Sequence, residues 1–345
     1  MQMDVECFLG PGQDLYHLAL LHQGLVELED QGRIRLRWIR ARGAQQQLSN
    51  DCHTFLHLRH NGREVRVGVD LYDKGSRIEA ELLREVDVYF KRSYSAGIAA
   101  KQGMAKVRPL GLNFAASGPG TKWKIWWQGG AGLWQRAMKN RGKLRQFLET
   151  PAIGIFERPP AIAAEAKVIF QPRLWEPGSS DDDLENVNRL RVDLVRVFRQ
   201  EFGGRFVGGL VPTAYARLHY PELLSPAPVR RELYVKESLR SAIGVNTRGL
   251  HGSNPFKLGE YLAGSFAILS DPLLYELPEP MRNGEEYLEY RSAEDCARHI
   301  AELFRRPEAI DALRDAAWRY YCSNLQPAAL WEKRLAAAFS TGAQN

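Results

Sequence analysis

The stretch Ile243–Pro272 constrains the fold of this chain more than any other. Ile243–Asn246 is a short β-type run, and Thr247–Pro255 is a loop rich in Gly, Ser, Asn and Pro. Phe256–Gly264 has helical periodicity, with Phe256, Leu258, Tyr261 and Leu262 on the side that can face a sheet. Phe266–Leu269 is a second apolar strand, closed by Ser270-Asp271-Pro272. Strand, loop, helix and strand in this order make a βαβ unit, the building block of a parallel sheet. A loop that leaves the carboxyl end of a strand and opens into a helix presents backbone N–H groups and a positive dipole end. Arg248 and His251 lie in that loop and Lys257 in the first helical turn, a setting that suits a phosphate or diphosphate. Glu260, one turn further on, can accept two hydrogen bonds from a ribose diol. A plain βαβ unit with a solvated polar loop has the same outline, so the pattern alone leaves both readings open.

The run Phe256-Lys-Leu-Gly-Glu-Tyr-Leu-Ala-Gly-Ser-Phe-Ala-Ile-Leu-Ser-Asp resembles the donor-site signature of GT-B-fold glycosyltransferases, the pattern K-x-x-E-Y-L-A-x-G-x-P-V-V. The resemblance implies an α/β fold of two Rossmann-like domains facing a cleft, with the C-terminal helices packing across the junction. It also implies that Glu260 holds a nucleotide ribose while nearby basic and backbone groups hold the diphosphate. Two positions depart from the common form. Phe266-Ala267 replaces the usual residue-Pro pair, and Ser253 stands seven before Glu260, where retaining enzymes often carry a second Glu. That second departure leans the expectation toward inversion of the anomeric centre.

The order of elements extends the likeness along the chain. Val5–Leu9, the Gly10-Pro11-Gly12 turn, a helix over Asp14–Gln31 and a strand at Ile34–Ile39 make a Rossmann-like opening. His53–Leu58 and Glu64–Val69 read as strands joined at Asn61-Gly62, a good hairpin turn. Asp70 and Asp73 fall just past the second strand's carboxyl end, where ligand crevices open in α/β sheets. Either can serve as a general base toward an acceptor hydroxyl, or can be an ordinary loop or capping aspartate. A helix at Ser76–Val86 and a strand at Val88–Phe90 follow, then Lys91 and Arg92, which can line the same cleft or be surface charges.

Lys122–Leu148 mixes Trp123, Trp126, Trp127 and Trp134 with Lys122, Lys124, Arg136, Lys139, Arg141 and Lys143. Two roles fit it: a basic, aromatic helical segment that touches a membrane surface or stacks on sugar rings, or a linker whose tryptophans pack at a domain junction.

Ala166–Phe170 is the expected first strand of a second domain. Arg173 follows it, where the resemblance implies a basic residue on the donor diphosphate. Ser179-Ser-Asp-Asp-Asp183 reads as a helix start, with acidic groups at the positive end of the helix, and not as a metal motif. No metal and no cofactor are expected. Phe206–Leu210 is the next strand, and a Pro-rich loop leads to a helix at Glu232–Ala242. Three helices close the chain, over Ala293–Phe304, Pro307–Tyr321 and Ala328–Ala338.

The 345 residues suit two domains, with 44% hydrophobic content ample for packed cores. The expected division is 1–160 as an acceptor-binding domain, 161–320 as a nucleotide-sugar-binding domain, and 321–345 as a closing helix returning toward the first. Four scattered cysteines without a CxxC, and a start lacking basic and apolar signal regions, point to a cytoplasmic protein, with peripheral contact to the inner face of a membrane left open. The net charge of +6 comes with no nucleic-acid recognition motif, so nucleic acid is not an expected partner.

The expected activity is therefore glycosyl transfer from a nucleotide-diphosphate sugar to a hydroxyl of a glycan or other acceptor. The expected donor residues are Arg173, Arg248, Gly249, His251, Gly252, Ser253, Lys257 and Glu260, and the expected base is Asp70 or Asp73. A nucleotide-sugar epimerase or hydrolase of the same fold, or a catalytically silent glycan-binding protein, remain as alternatives.

Overall fold

A computed structural model describes residues 2–128, 141–176, 178, 183–226 and 230–341. Trp134, Arg136 and Lys139 of the aromatic-basic segment, Ser179–Asp182 of the acidic run and Pro228 of the Pro-rich loop lie outside the described residues. The chain divides into two compact units: Met1–Ile153 with Tyr275–Glu279 and Ser323–Asn345, and Gly154–Leu274 with Pro280–Cys322.

The first unit is built on strands β1 (Met3–Leu9), β2 (Ile34–Arg40), β3 (His53–His60), β4 (Arg63–Asp70), β5 (Val88–Lys91) and β6 (Val107–Pro109). They form a six-stranded sheet in the order β2-β1-β3-β4-β5-β6. Only β3 runs against its neighbours, because the Asn61-Gly62 hairpin returns the chain directly to β4. Both turn residues have positive φ, as a tight hairpin turn requires. All five other strands therefore end at one edge, where Asp70, Lys91 and the Gly10-Pro11-Gly12 turn are collected. Gly10 is needed there for close approach of the backbone, since a Cβ would sit 1.6 Å from the Ser49 carbonyl oxygen. The first helix is shorter than its periodicity suggests, Ala19–Asp30, because Asp14–Leu18 is taken up in turns before it.

The last helix, Pro327–Thr341, belongs to this first unit and packs on Ala19–Asp30. Trp331 is fully buried and donates from Nε1 to the Leu21 carbonyl at 2.6 Å. The short segment Tyr275–Glu279 also joins this unit. Tyr275 accepts the Gly75 N–H at 3.0 Å, and Glu276 accepts the Ala96 N–H at 2.7 Å. Tyr321 instead bonds Glu157 within the second unit, at 2.7 Å.

The second unit holds β7 (Glu165–Phe170), β8 (Phe206–Gly208), β9 (Ser241–Asn246), β10 (Ala267–Ser270) and β11 (Leu288–Glu289), all parallel, in the order β8-β7-β9-β10-β11. Every residue of β9 and β10 is buried, the mark of strands covered on both faces. Helices Leu184–Phe202 and Ala293–Arg305 share one core with Val168, Phe170, Ile243, Val245, Ala267 and Leu269. On the opposite face the Tyr261 ring of helix Phe256–Ala263 lies where a Cβ on Gly244 would be, at 3.0 Å. The helix expected over Glu232–Ala242 is Arg231–Ser238, since Ser241 and Ala242 already belong to β9. Among the described residues no helix is long and apolar enough to cross a membrane.

The amino edge of this sheet is tied by a buried guanidinium. Arg158 donates to the carbonyls of Leu239, Ser241, Gly264 and Ser265, the segments entering β9 and β10, and lies 4.6 Å over the Phe266 ring. Burial, helped by nearby Arg314, lowers its pKa to about 9. Arg158→Met is expected to cost about 2–4 kcal/mol of stability, the scale of charged hydrogen bonds lost inside a protein, with Arg158→Lys recovering part of it. Urea denaturation of the three proteins checks this, and a Met variant within about 0.5 kcal/mol of wild type would contradict it.

Candidate functional site

In an open parallel sheet, a crevice forms at the carboxyl ends of the strands where the chain order reverses. In the second unit that place lies between β7 and β9: the chain goes from β7 outward to β8, then returns to β9 and proceeds to β10 on the other side. The loops leaving β7 (Gln171–Trp175) and β9 (Thr247–Pro255) therefore meet at the switch point. The second of these is the loop singled out in the sequence.

One buried side chain joins them. Arg191, from helix Leu184–Phe202, donates to Thr247 Oγ1 at 2.8 Å, to the Arg173 carbonyl at 2.6 Å and to the Arg248 carbonyl at 2.8 Å. Its guanidinium also lies 4.0 Å over the Trp175 ring. Burial lowers its pKa to about 9.

The loop after β9 is closed on itself. Gly249 N–H donates to the Ser253 carbonyl at 2.8 Å, and Ser253 N–H to Leu250 at 3.1 Å. His251 and Gly252 both take positive φ, 55° and 73°, to make the turn. Ser253 is buried, with its Oγ where a Cβ on Gly249 would come within 2.6 Å, so a larger residue than glycine does not fit at 249. Of the expected donor residues, Gly249, Gly252 and Ser253 thus shape the loop.

The basic side chains divide. Arg173 is exposed, and its carbonyl is the part held by Arg191. Arg248 bonds Asp183 through Nη2 at 2.7 Å and Nε at 2.9 Å, and its Nη1 lies 3.7 Å from Asp271 Oδ2. Lys257 reaches back from the first turn of its helix to the Gln171 carbonyl at 2.7 Å and Tyr234 OH at 2.8 Å. Both partners are neutral, and among the described residues Lys257 makes no ion pair. Its positive charge stays available to an anion at the helix N-terminus. Glu260 is buried and faces Arg231, with Oε2 3.2 Å from Nη1 and a second contact between Oε1 and Nη2.

Arg191, Asp271, Tyr234 and Arg231 were not among the expected site residues. Asp271 had a usable signal: it follows an apolar strand directly, as Asp70 does. Arg191 had none, being one more cation on an amphipathic helix.

At the carboxyl edge of the first unit, Asp70 is fully buried. It accepts from Tyr72 N–H at 2.8 Å, Tyr89 OH at 2.5 Å and Lys91 Nζ at 2.8 Å, with His53 Nε2 3.6 Å away. Burial pushes its pKa up, but His53 and Lys91 outweigh it and hold the carboxyl below the usual range. Asp70, expected with Asp73 as a candidate base, is thus the anchor of a buried network, with both carboxylate oxygens engaged. Asp73 is 43% exposed and pairs with Arg92, whose pKa burial lowers to about 10. Lys91 and Arg92 are buried, and not surface charges.

No protein-family model matches the chain, and no curated protein does. Among solved structures, HepE of Anabaena in complex with UDP is similar at 11% identity, with 99% of this chain and 100% of that one covered and a TM-score of 0.42. Sucrose-phosphate synthase from Thermosynechococcus elongatus matches at 10% identity over 93% of this chain and 72% of its own, TM-score 0.45. A Listeria monocytogenes protein described as a UDP-N-acetylglucosamine 2-epimerase matches at 11% over 79% and 67%, TM-score 0.41. With TM-scores below 0.5, these likenesses assign no site and no activity to this chain. Its class is set by its own architecture: an α/β protein of two sheet units, the second wholly parallel with a polar switch point.

Burial pushes the pKa of Asp271 up to about 6, in spite of Arg248 and Arg191 beside it. Because the folded value lies above the ordinary aspartate value, the native state binds this proton more tightly than the unfolded chain. The group's contribution is favourable at low pH and is lost as pH rises through about 6. Asp271→Asn is expected to be more stable than wild type at pH 7.5, by about 3 kcal/mol at most, with the gain shrinking toward pH 4.5. Urea denaturation at both pH values tests this, and a gain that grows on acidification would contradict it.

Proposed function

We propose that this chain is a GT-B-type glycosyltransferase that moves a hexosyl group from a nucleotide-diphosphate sugar to an acceptor hydroxyl, without a metal and with inversion. One observation carries the reading: Lys257, in the first turn of a helix and without an ion pair among the described residues, sits behind a tightly turned loop at the switch point of a buried parallel sheet. In this reading the diphosphate lies against that loop, with Lys257, His251, Arg248 and Arg173 offsetting its charge in place of a metal. Glu260 receives the ribose diol, sharing its carboxylate with Arg231.

The chemical step is a displacement. The acceptor oxygen bonds to the anomeric carbon as the bond from that carbon to the diphosphate oxygen breaks. A base takes the acceptor's proton, the role for which the sequence offers Asp70 or Asp73, and the electron pair leaves with the diphosphate. Asp70 holds Lys91 at 2.8 Å and has His53 at 3.6 Å. Ser253, buried in the loop where retaining enzymes often place a glutamate, supports the inverting assignment. A role in polysaccharide assembly follows if the acceptor is a growing glycan.

Thermal-shift screening of UDP, GDP, dTDP and CMP sugars is expected to raise the melting point with at least one donor. Glu260→Ala is then expected to weaken that donor's binding by about 1–3 kcal/mol in calorimetry, the scale of charged hydrogen bonds, and unchanged affinity would remove Glu260 from the site. Product analysis separates the reactions: sugar released to water without acceptor, or epimerised, would contradict transfer.

Peripheral membrane contact is part of the same proposal. Trp123 and Trp127 stack at 5.9 Å on the helix over 119–128 and are 63% and 73% exposed, with exposed Arg141 and Arg145 in the following helix. Cosedimentation with vesicles containing anionic lipid is expected, and Trp123→Ala/Trp127→Ala is expected to lower the bound fraction several-fold. Equal binding by the double variant would contradict this.

A further inference from the structure

The donor reading leaves one contact unexplained. Arg248, a cation assigned to an anionic ligand, is already engaged by two carboxylates from different elements. Asp183, at the start of helix Leu184–Phe202, takes it through Nη2 and Nε. Asp271, directly after β10, takes its backbone N–H through Oδ1 at 2.8 Å, and its Oδ2 lies 3.7 Å from Nη1. That Oδ2 is buried and has no hydrogen-bond partner among the described residues. Two acidic groups thus stand where the ligand would add further negative charge.

We propose that Asp183 and Asp271 form a latch that keeps Arg248 parked until a diphosphate displaces it, making both residues determinants of donor affinity. The proposal rests on the donor-site reading above and concerns how that site is gated.

The geometry separates what is fixed from what can move. The backbone around Arg248 is held on both sides, by Arg191 on its carbonyl and by Asp271 on its N–H. The side chain is different. It is 23% exposed, and Asp183, its closest partner, is 38% exposed. An ion pair this open to water is weak and easily exchanged. A diphosphate presents several charged oxygens, and arginine forms paired hydrogen bonds to phosphate that are stronger than those to a solvated carboxylate. Arg248 can therefore change partner by side-chain rotation while the loop keeps its shape.

Asp271 gives the parked state its direction. Buried beside Arg248, Arg191 and Asp183, and with Tyr290 and Cys296 packed nearby, it is a carboxylate that burial penalises. Each Arg248 contact with it relieves that penalty, so release of Arg248 has a cost that a neutral or singly charged ligand does not meet. Lys257 differs, because its hydrogen-bond partners are neutral oxygens and among the described residues no acid pairs with it. Lys257 is then a standing cation of the site and Arg248 a conditional one.

The test is isothermal calorimetry on the full chain with UDP, GDP, dTDP and inorganic pyrophosphate, comparing wild type, Asp183→Asn, Arg248→Ala and the double variant. Asp183 lies at a half-exposed helix start, so the Asn variant is expected to fold, which circular dichroism checks. For each probe that binds wild type, Asp183→Asn is expected to bind about three- to tenfold tighter and Arg248→Ala about tenfold weaker. The double variant is expected to match Arg248→Ala, since the latch acts only through that side chain. Unchanged or weaker binding by Asp183→Asn would overturn the latch and leave the donor site standing. The same gain in the Arg248→Ala background would also overturn it, by showing a general charge effect. No binding of any probe to any of the four proteins would overturn the donor-site reading itself.

Discussion

The second unit depends on where Arg191 puts its hydrogen bonds. A guanidinium taken out of water is destabilising by several kcal/mol unless its donors find partners. Here the partners are three oxygens at the ends of two adjacent strands, with an indole ring against the flat face. The loops leaving β7 and β9 cannot separate without stranding that charge. The switch point is consequently tied on both sides by one side chain.

Arginines serve the opposite edge of the same sheet in a similar way. Arg158 and Arg314 gather the carbonyls that precede β9 and β10. The first unit solves the equivalent problem with opposite charges. Asp70, Lys91, Tyr89 and His53 close a buried network at the strand ends, and the network fixes the side chains as firmly as Arg191 fixes loops. The two solutions have different chemical consequences. Saturating Asp70 ties up its carboxylate oxygens, whereas Arg191 takes up loop carbonyls and leaves Lys257 with neutral partners.

Much of this was legible in the residues. The Ile243–Pro272 stretch gives strand, loop, helix and strand close to where they lie, because its apolar periods are clean and its loop residues are strong breakers. The Asn61-Gly62 hairpin is equally plain. Local pattern fails where tertiary contacts decide. Asp14–Leu18 has helical spacing but is taken up by turns, and Ser241-Ala242 look like the end of a helix but are drawn into a buried strand. The excursion of Tyr275–Glu279 into the first unit has no local signal, since it rests on Gly75 and Ala96, far away in the chain. The site was legible as a place and not as a set of partners: nothing in the spacing of Arg248 says that Asp183 and Asp271 hold it, and nothing marks Arg191 among the cations of its helix.

The central claim is that the turn between β9 and its helix is an anion-binding cradle for a nucleoside diphosphate. Hydrogen–deuterium exchange, followed by peptide mass analysis with and without a donor that raises the melting point, tests it most directly. The account predicts slowed exchange in peptides spanning Thr247–Lys257, where the ligand would cover backbone amides. Unchanged exchange there, with protection confined to other parts of the chain, would contradict it.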